Sequence, residues 1–157
     1  MTSIRDVEDF LSLHRIAMVG VSRHAQDFSR SLFREMRARG YDMVPVNPAA
    51  LEIEGQECFA NLQVANPSVA GALIMTPFYE TVRIVQDCIE ANVRKVWIYR
   101  ASGQGAVSPE AIALCNRHEI QVVAGHCPFM FFPAPGFIHR AHGFLLKLER
   151  RYPAKAA

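Results

Sequence analysis

The chain has 157 residues, half of them hydrophobic and a fifth charged, and its formal net charge is +2. These values are typical of one globular domain that buries a sizeable core, and so small a net charge gives no argument for a nucleic-acid ligand. No apolar run reaches the roughly 18 residues that span a bilayer, and the charged N-terminal stretch does not resemble a signal peptide. We therefore expect a cytoplasmic protein that does not enter a membrane.

Helical and strand patterns alternate along the chain. Apolar residues three and four apart predict helices, short continuous apolar runs predict buried strands, and Gly40 is a natural end for the second helix. In chain order the predicted elements are a helix at 3–13, a strand at 15–20, a helix at 29–39, strands at 41–47 and 71–75, a helix at 78–91, a strand at 95–100, a helix at 109–118, a strand at 120–125 and a last helix at about 137–150.

This alternation predicts an α/β fold: a doubly wound, parallel, five-stranded sheet with helices on both faces, in three αβα layers. There is no internal repeat and no linker, so the prediction is a single domain over residues 1–157. In such sheets ligands bind beyond the carboxyl ends of the strands, where the strand order reverses. The residues that follow each strand are therefore the candidates for a functional site.

The loop after the first strand, "GVSRHAQDFSRS", has the chemistry of a phosphate site. Gly20 allows close approach to the backbone, Ser22 and Ser29 supply hydroxyl groups, and Arg23 and Arg30 supply positive charge. The same residues are also compatible with a polar loop that ends in a serine helix cap. Both interpretations remain open on these residues alone.

A dinucleotide loop is the first phosphate site to test. It needs three glycines and an acid at the end of the second strand, but this chain has Gly20, Ser22 and Ala25 and ends that strand in Asn47-Pro48. NAD is therefore disfavoured. NADP remains an alternative ligand because no carboxylate is present there to repel a phosphate on the ribose.

Several stretches in a fixed order resemble one family. They are "IAMVGVS", "SRS", "GYDMVPVNP", "IEGQECFANL", "MTPFYETV", "VRKVWI" and "HCPFM". Together they cover roughly residues 14–131 and resemble the CoA-binding domain family, the small stand-alone relatives of the N-terminal domain of the succinyl-CoA synthetase α subunit. The resemblance implies a Rossmann-like domain that binds coenzyme A or an acyl-CoA.

The resemblance also implies which residues meet the cofactor. By position they are Gly20, Val21, Ser22, Arg23, Ser29, Arg30, Val46, Asn47, Pro48, Thr76 and Pro77. The first loop would meet the diphosphate, the end of the second strand the adenosine part, and the end of the third strand the pantetheine. Family members often carry a lysine after the V-N-P stretch, whereas Ala49 and Ala50 follow here, so Arg23 and Arg30 are the candidates to replace its charge.

No pattern of catalytic residues is evident. The histidines form no triad and no metal spacing, and the cysteines form no CxxC pair, so binding without catalysis and without a metal is predicted. Two interpretations of His126-Cys127 stay open: a thiol with a lowered pKa or a buried loop residue. An NADP-dependent enzyme would require a proton donor, for which Tyr79, Tyr99 and His126 are candidates.

The segment "FMFFPAPGF" is too apolar for water. Phe129, Phe131, Phe132 and Phe137 either pack the last helix on the sheet, form a surface for a second copy or another protein, or line a channel for an acyl-pantetheine arm.

Overall fold

A computed structural model describes residues 2–65 and 67–132 of the chain. The helices are α1 (Ile4–Leu11), α2 (Phe28–Ala38), α3 (Phe78–Glu90) and α4 (Pro109–Arg117), and the strands are β1 (Arg15–Val19), β2 (Asp42–Val46), β3 (Glu52–Ile53), β4 (Gln56–Glu57), β5 (Gly71–Ile74), β6 (Lys95–Tyr99) and β7 (Gln121–His126). Every element predicted within these residues is present, with bounds that shift by one or two residues. The predicted helix at 137–150 lies outside the described residues, and the extent of the domain over 1–157 stays a prediction.

Five strands form one parallel sheet in the order β2-β1-β5-β6-β7, which confirms the predicted Rossmann-like α/β fold. The chain runs from β1 outward to β2 and then returns across β1 to β5, so the strand order reverses between β1 and β5. Val19 pairs with Val46 on one side and with Ile74 on the other, so these three strands end level with one another. The residues that follow them therefore meet at one edge of the sheet.

Helices cover both faces of the sheet. Buried residues of α1 and α2, among them Phe10 and Phe33, pack on one face, while those of α3 and α4, among them Val85 and Cys115, pack on the other. The buried Trp97 of β6 packs edge-on against Phe10 at 5.4 Å, and its indole N–H donates to the carbonyl oxygen of His126 at 2.9 Å. No helix among the described residues is long and apolar enough to cross a membrane.

The connection after β2 contains structure that the sequence pattern did not predict. Strands β3 and β4 form an antiparallel hairpin whose turn residues, Glu54 and Gly55, both have positive φ. Farther along, the Phe59 N–H donates to the Pro45 carbonyl at 3.0 Å, on the side of β2 that faces away from β1. The proline ring therefore lies on this outer side, where its missing N–H removes no bond to β1.

Candidate functional site

A cavity of about 240 Å³ lies at the edge where β1, β2 and β5 end, against the start of α3. This is the reversal point at which ligands bind in open α/β sheets. Its lining residues are Val19, Gly20, Val46, Asn47, Pro48, Ala60, Asn61, Leu62, Thr76, Pro77, Glu80, Arg83, Ile84 and Asp87. The structure thus brings together six predicted cofactor residues, which are Gly20, Val46, Asn47, Pro48, Thr76 and Pro77.

Gly20 is required by its neighbour as well as by its backbone conformation. Its φ is +87°, and a Cβ atom there would lie 2.6 Å from Thr76 Cγ2 and 2.9 Å from the Thr76 backbone nitrogen. Hydrogen bonds from the Gly20 N–H to the Val46 carbonyl and from the Met75 N–H to the Val19 carbonyl hold the three strand ends together. The close approach that glycine permits here is therefore between β1 and β5. In the same cavity wall, Thr76 Oγ1 is buried without a hydrogen-bond partner among the described residues.

Asn47 joins the ends of β1 and β2. Its Nδ2 donates to the carbonyl oxygen of the buried Val21 at 2.8 Å, and its Oδ1 accepts from the Ala49 N–H at 2.8 Å. Both ends of the amide are therefore engaged within the protein. The Asn47 backbone is engaged as well, since its N–H donates to the Phe59 carbonyl at 2.9 Å and its carbonyl accepts from the Ala50 N–H at 3.2 Å. Pro48 is therefore the part of this strand end that is left to meet a ligand.

The first loop ends at the start of α2, which a carboxylate of the protein already caps. Asp27 is the N-cap of α2, and its Oδ1 accepts from the Ser29 N–H at 2.8 Å and from the Ser29 hydroxyl at 2.6 Å. The Ser29 Oγ in turn accepts from the Ser22 N–H at 2.9 Å. The cap is thus an aspartate, and the predicted cofactor residue Ser29 bonds inward, away from the lining of the cavity.

Arg30 also lies outside the lining of the cavity. Its Nε donates to Glu54 Oε1 at 2.8 Å, and its Nη1 donates to the carbonyl oxygens of Ser22 and Arg23 at 3.3 and 3.2 Å. Partial burial of Glu54 opposes its ionisation, but hydrogen bonds and positive charge from Arg30 and Arg34 outweigh it, so the pKa of this carboxyl lies below its ordinary value.

Arg23 is the predicted cation that keeps its charge available. Arg23 is exposed, and no carboxylate among the described residues pairs with it. It projects from the same loop as Ser22, whose Oγ accepts from the His24 N–H at 3.1 Å. An incoming phosphate at this loop would meet Arg23 without displacing an ion pair.

The sequence prediction missed the α3 wall of the cavity. Arg83 lies between two acids, 3.1 Å from Glu80 and 3.2 Å from Asp87, and its side chain is 60% exposed. These three charges are spaced three and four residues apart, which places them on one helix face. That spacing just after the end of the third predicted strand is the signal that could have identified them.

The aromatic segment packs inward over the described residues. Phe131 meets Trp97 at 5.8 Å, Phe129 meets Phe132 at 5.9 Å, and Phe132 is only 4% exposed. A second copy or partner on this segment stays a prediction, and Phe137 lies outside the described residues. The exposed aromatic pair of this edge is instead Phe78 and Tyr79, at the start of α3.

Burial, and not activation by histidine, sets the chemistry of Cys127. The thiol is fully buried, and this burial raises its pKa to about 11. Tyr99, which hydrogen-bonds to Cys127, also has a pKa above its ordinary value because it is buried. The interpretation of Cys127 as a buried loop residue therefore holds. No group of metal-binding side chains occurs within 2–65 and 67–132.

Solved structures share this fold. A hypothetical protein from Pyrococcus horikoshii OT3 matches with a TM-score of 0.73 and 22% identity, over 90% of this chain and 91% of that one. The structure of cell-free ID.343 from Thermus thermophilus matches with a TM-score of 0.70 and 24% identity, over 78% of this chain and 91% of that one. The dinucleotide-forming acetyl-coenzyme A synthetase 1 of Ca. Korarchaeum cryptofilum matches with a TM-score of 0.66 and 21% identity over 76% of this chain, which spans 27% of the synthetase.

The sequence itself matches a family model. The match is to the CoA binding domain and covers residues 14–133, nearly the range over which the resemblance was found. It includes the three strand ends and the α3 wall that form the cavity. The chain therefore belongs to the CoA binding domain family.

Proposed function

We propose that the chain binds coenzyme A or an acyl-CoA, without catalysing a reaction on it, at the edge where β1, β2 and β5 end. One observation carries the proposal: six residues that the family resemblance assigns to the cofactor line a single cavity at the reversal point of the sheet. The adenosine part would lie against Asn47-Pro48, the diphosphate at the first loop with Arg23, and the pantetheine along Thr76-Pro77.

The phosphate on the ribose needs a cation that does not come from the residues after Pro48. Among the described residues that line the cavity, Arg83 is the only lysine, arginine or histidine. Its ion pairs with Glu80 and Asp87 lie at the surface, where such pairs stabilise a fold little. The guanidinium can therefore leave these carboxylates to bind a phosphate. We assign Arg83 to the ribose 3′-phosphate.

Binding without catalysis is supported by the state of Cys127, which follows β7. Burial raises the pKa of its thiol to about 11 and so keeps it protonated. A protonated thiol is not poised to attack a thioester at neutral pH.

Isothermal titration calorimetry with CoA, acetyl-CoA, dephospho-CoA and NADPH tests this proposal. We expect heat with CoA and acetyl-CoA, weaker binding of dephospho-CoA, and none of NADPH. Binding of NADPH alone would favour the NADP alternative that the acid-free end of β2 permits, and no heat with any CoA species would refute the proposal.

A charge-deletion variant tests the role of Arg83. Arg83→Ala should weaken CoA binding about tenfold while changing dephospho-CoA binding much less, because the lost partner is the 3′-phosphate. Arg94→Ala is the matched control, since Arg94 bonds to Asn92 and His118 and does not line the cavity. Equal losses for both CoA forms would contradict the assignment.

A further inference from the structure

Two arginines of α2 hold the first loop from one side. Arg30 Nη1 donates to the carbonyl oxygens of Ser22 and Arg23, and Arg34 Nη1 donates to that of Ala25 at 3.3 Å. Three carbonyl groups of a short loop are therefore bound to guanidinium groups of one helix. The loop is also held by the bond from the Ser22 N–H to Ser29 Oγ and by a bond from the Asp27 N–H to the His24 carbonyl at 3.0 Å.

One carboxylate holds both arginines in place. Glu54 Oε1 lies 2.7 Å from Arg30 Nη2 and 2.7 Å from Arg34 Nη1, and Arg37 Nη1 donates to the Glu54 carbonyl at 3.0 Å. Glu54 is the turn residue of the β3–β4 hairpin and has a φ of 51°, a conformation that residues with side chains rarely adopt. We refer to Arg30, Arg34 and Glu54 as the arginine clamp.

The clamp determines where the loop amides point. In a trans peptide the C=O and the following N–H point in opposite directions. With the Ser22 and Ala25 carbonyls directed at the arginines, the N–H groups of Arg23 and Gln26 point to the other side of the loop. Neither N–H donates to an acceptor among the described residues, and both residues are exposed. Two exposed backbone N–H groups without a partner can donate to the oxygens of a phosphate.

Arg30 itself is poorly placed to touch a ligand. Its side chain is 11% exposed, and Nε, Nη1 and Nη2 all have partners, Glu54 or the loop carbonyls. A phosphate would have to displace Glu54 and the loop to reach it. We therefore do not expect Arg30 to bind the cofactor directly through its charge.

We propose that Arg30, Arg34 and Glu54 are positioning residues, which never contact the ligand but order the first loop so that the amides of Arg23 and Gln26 face its phosphate groups. This inference rests on the proposed function, because it takes the phosphates of CoA as the occupant. It changes the role expected for Arg30 from a phosphate ligand to a support of the loop.

Hydrogen exchange and calorimetry on Glu54→Gln test the proposal, with Glu57→Gln as the matched control. Glu57 lies on the same hairpin, is exposed and forms no ion pair with the described residues. In the ligand-free protein, Glu54→Gln should speed amide exchange about tenfold at Ser22 and His24, whose N–H groups donate to Ser29 Oγ and Ser22 Oγ, and should leave the central strands unchanged. It should also weaken CoA binding about tenfold, whereas Glu57→Gln should alter neither quantity.

Arg30→Lys separates positioning from direct charge contact. Lysine keeps the positive charge but cannot bind Glu54 and two carbonyls at once. If Arg30 positions the loop, Arg30→Lys should reproduce both effects of Glu54→Gln. CoA affinity that stays at the wild-type level in either variant, or that rises in Glu54→Gln, would overturn the proposal.

The two proposals can fail separately. If the wild-type protein binds no CoA, the proposed function fails, and the exchange comparison then decides whether the clamp orders the loop. Unchanged exchange at Ser22 and His24 in Glu54→Gln would refute the positioning role whether or not CoA binds.

Discussion

At the scale of single residues, the site depends on a few contacts that have no substitute. Gly20 lies so close to Thr76 that a side chain does not fit, and one carboxylate, that of Glu54, pairs with two arginines. Each of these residues can be replaced by one that differs in only a few atoms. For each, another residue of the chain shares part of its environment and serves as a control.

Replacing Gly20 by alanine should destabilise the protein through strain and overlap together. Gly40→Ala is the control, since Gly40 has a similar φ of +92° but nothing within 4 Å of its Cβ position. Denaturant unfolding should give a loss of about 1–2 kcal/mol for Gly40→Ala from backbone strain alone. Gly20→Ala should lose about 1–3 kcal/mol more, because the Thr76 backbone must move. Equal losses would show that the contact with Thr76 relaxes freely.

The Glu54 ion pairs should make stability depend on pH in the acid range. The pKa of Glu54 is lower in the folded protein than in the unfolded chain. The contribution of a group of this kind is fully present above the unfolded value, about 4.3, and is lost as the pH falls through the folded value. The difference in unfolding free energy between wild type and Glu54→Gln should therefore be constant from pH 7 to about pH 5 and shrink at lower pH. A difference that persists unchanged to pH 3 would contradict it.

At the scale of elements, the starts of the helices differ in what they offer a ligand. Asp27 caps α2 with a carboxylate, whereas Pro77 at the start of α3 makes no side-chain cap bond. The anion slot that a parallel α/β fold usually provides at its first helix is thus filled by the protein itself. In the proposed function, the loop amides and Arg23 are then the groups left to bind the diphosphate.

Asp27→Asn should bind CoA severalfold more tightly than wild type at low salt. Asparagine caps a helix as well as aspartate does, so stability should hardly change, while a negative charge beside the loop is removed. The calorimetric titration should be repeated at high salt, where screening reduces the gain.

Ser108→Ala provides the comparison for that variant. It removes the cap of α4, which accepts from the Ala111 N–H at 3.3 Å, and should cost about 1 kcal/mol of stability without changing CoA affinity. If Asp27→Asn bound CoA more weakly than wild type, this would contradict the prediction. The Asp27 carboxylate would then favour binding more by ordering the loop than it opposes binding by repelling the ligand.

At the scale of the whole molecule, we expect burial to keep all four thiols of the chain unreactive. Cys58, Cys88, Cys115 and Cys127 are free and buried, and burial raises the pKa of each. The thiolate is the reactive form, so at pH 8 a thiol reagent such as Ellman's reagent should modify almost no thiol in the native protein. Four thiols per chain should react after unfolding in guanidinium chloride. Fast reaction of Cys127 in the native protein would reopen a chemical role for it.

Much of this architecture follows from local pattern. Apolar runs, helical periodicity and stop signals such as Gly40 predicted every main strand and helix within the described residues. The hairpin β3–β4 was missed because strands of two residues leave no periodicity to detect. The placement of the site at the strand ends followed from the alternation of strands and helices, since parallel strands bring their carboxyl ends to one edge.

The sequence alone was thus enough to determine the fold class, the family and the edge of the sheet at which the cavity lies, because each depends on pattern along the chain. Only the tertiary structure decided what the individual residues of "GVSRHAQDFSRS" do. Arg30 is paired with Glu54, a residue 24 positions along the chain, and Gly20 is required by Thr76. Such pairings depend on which loops the folded sheet brings into contact, so the spacing of residues along the sequence does not predict them.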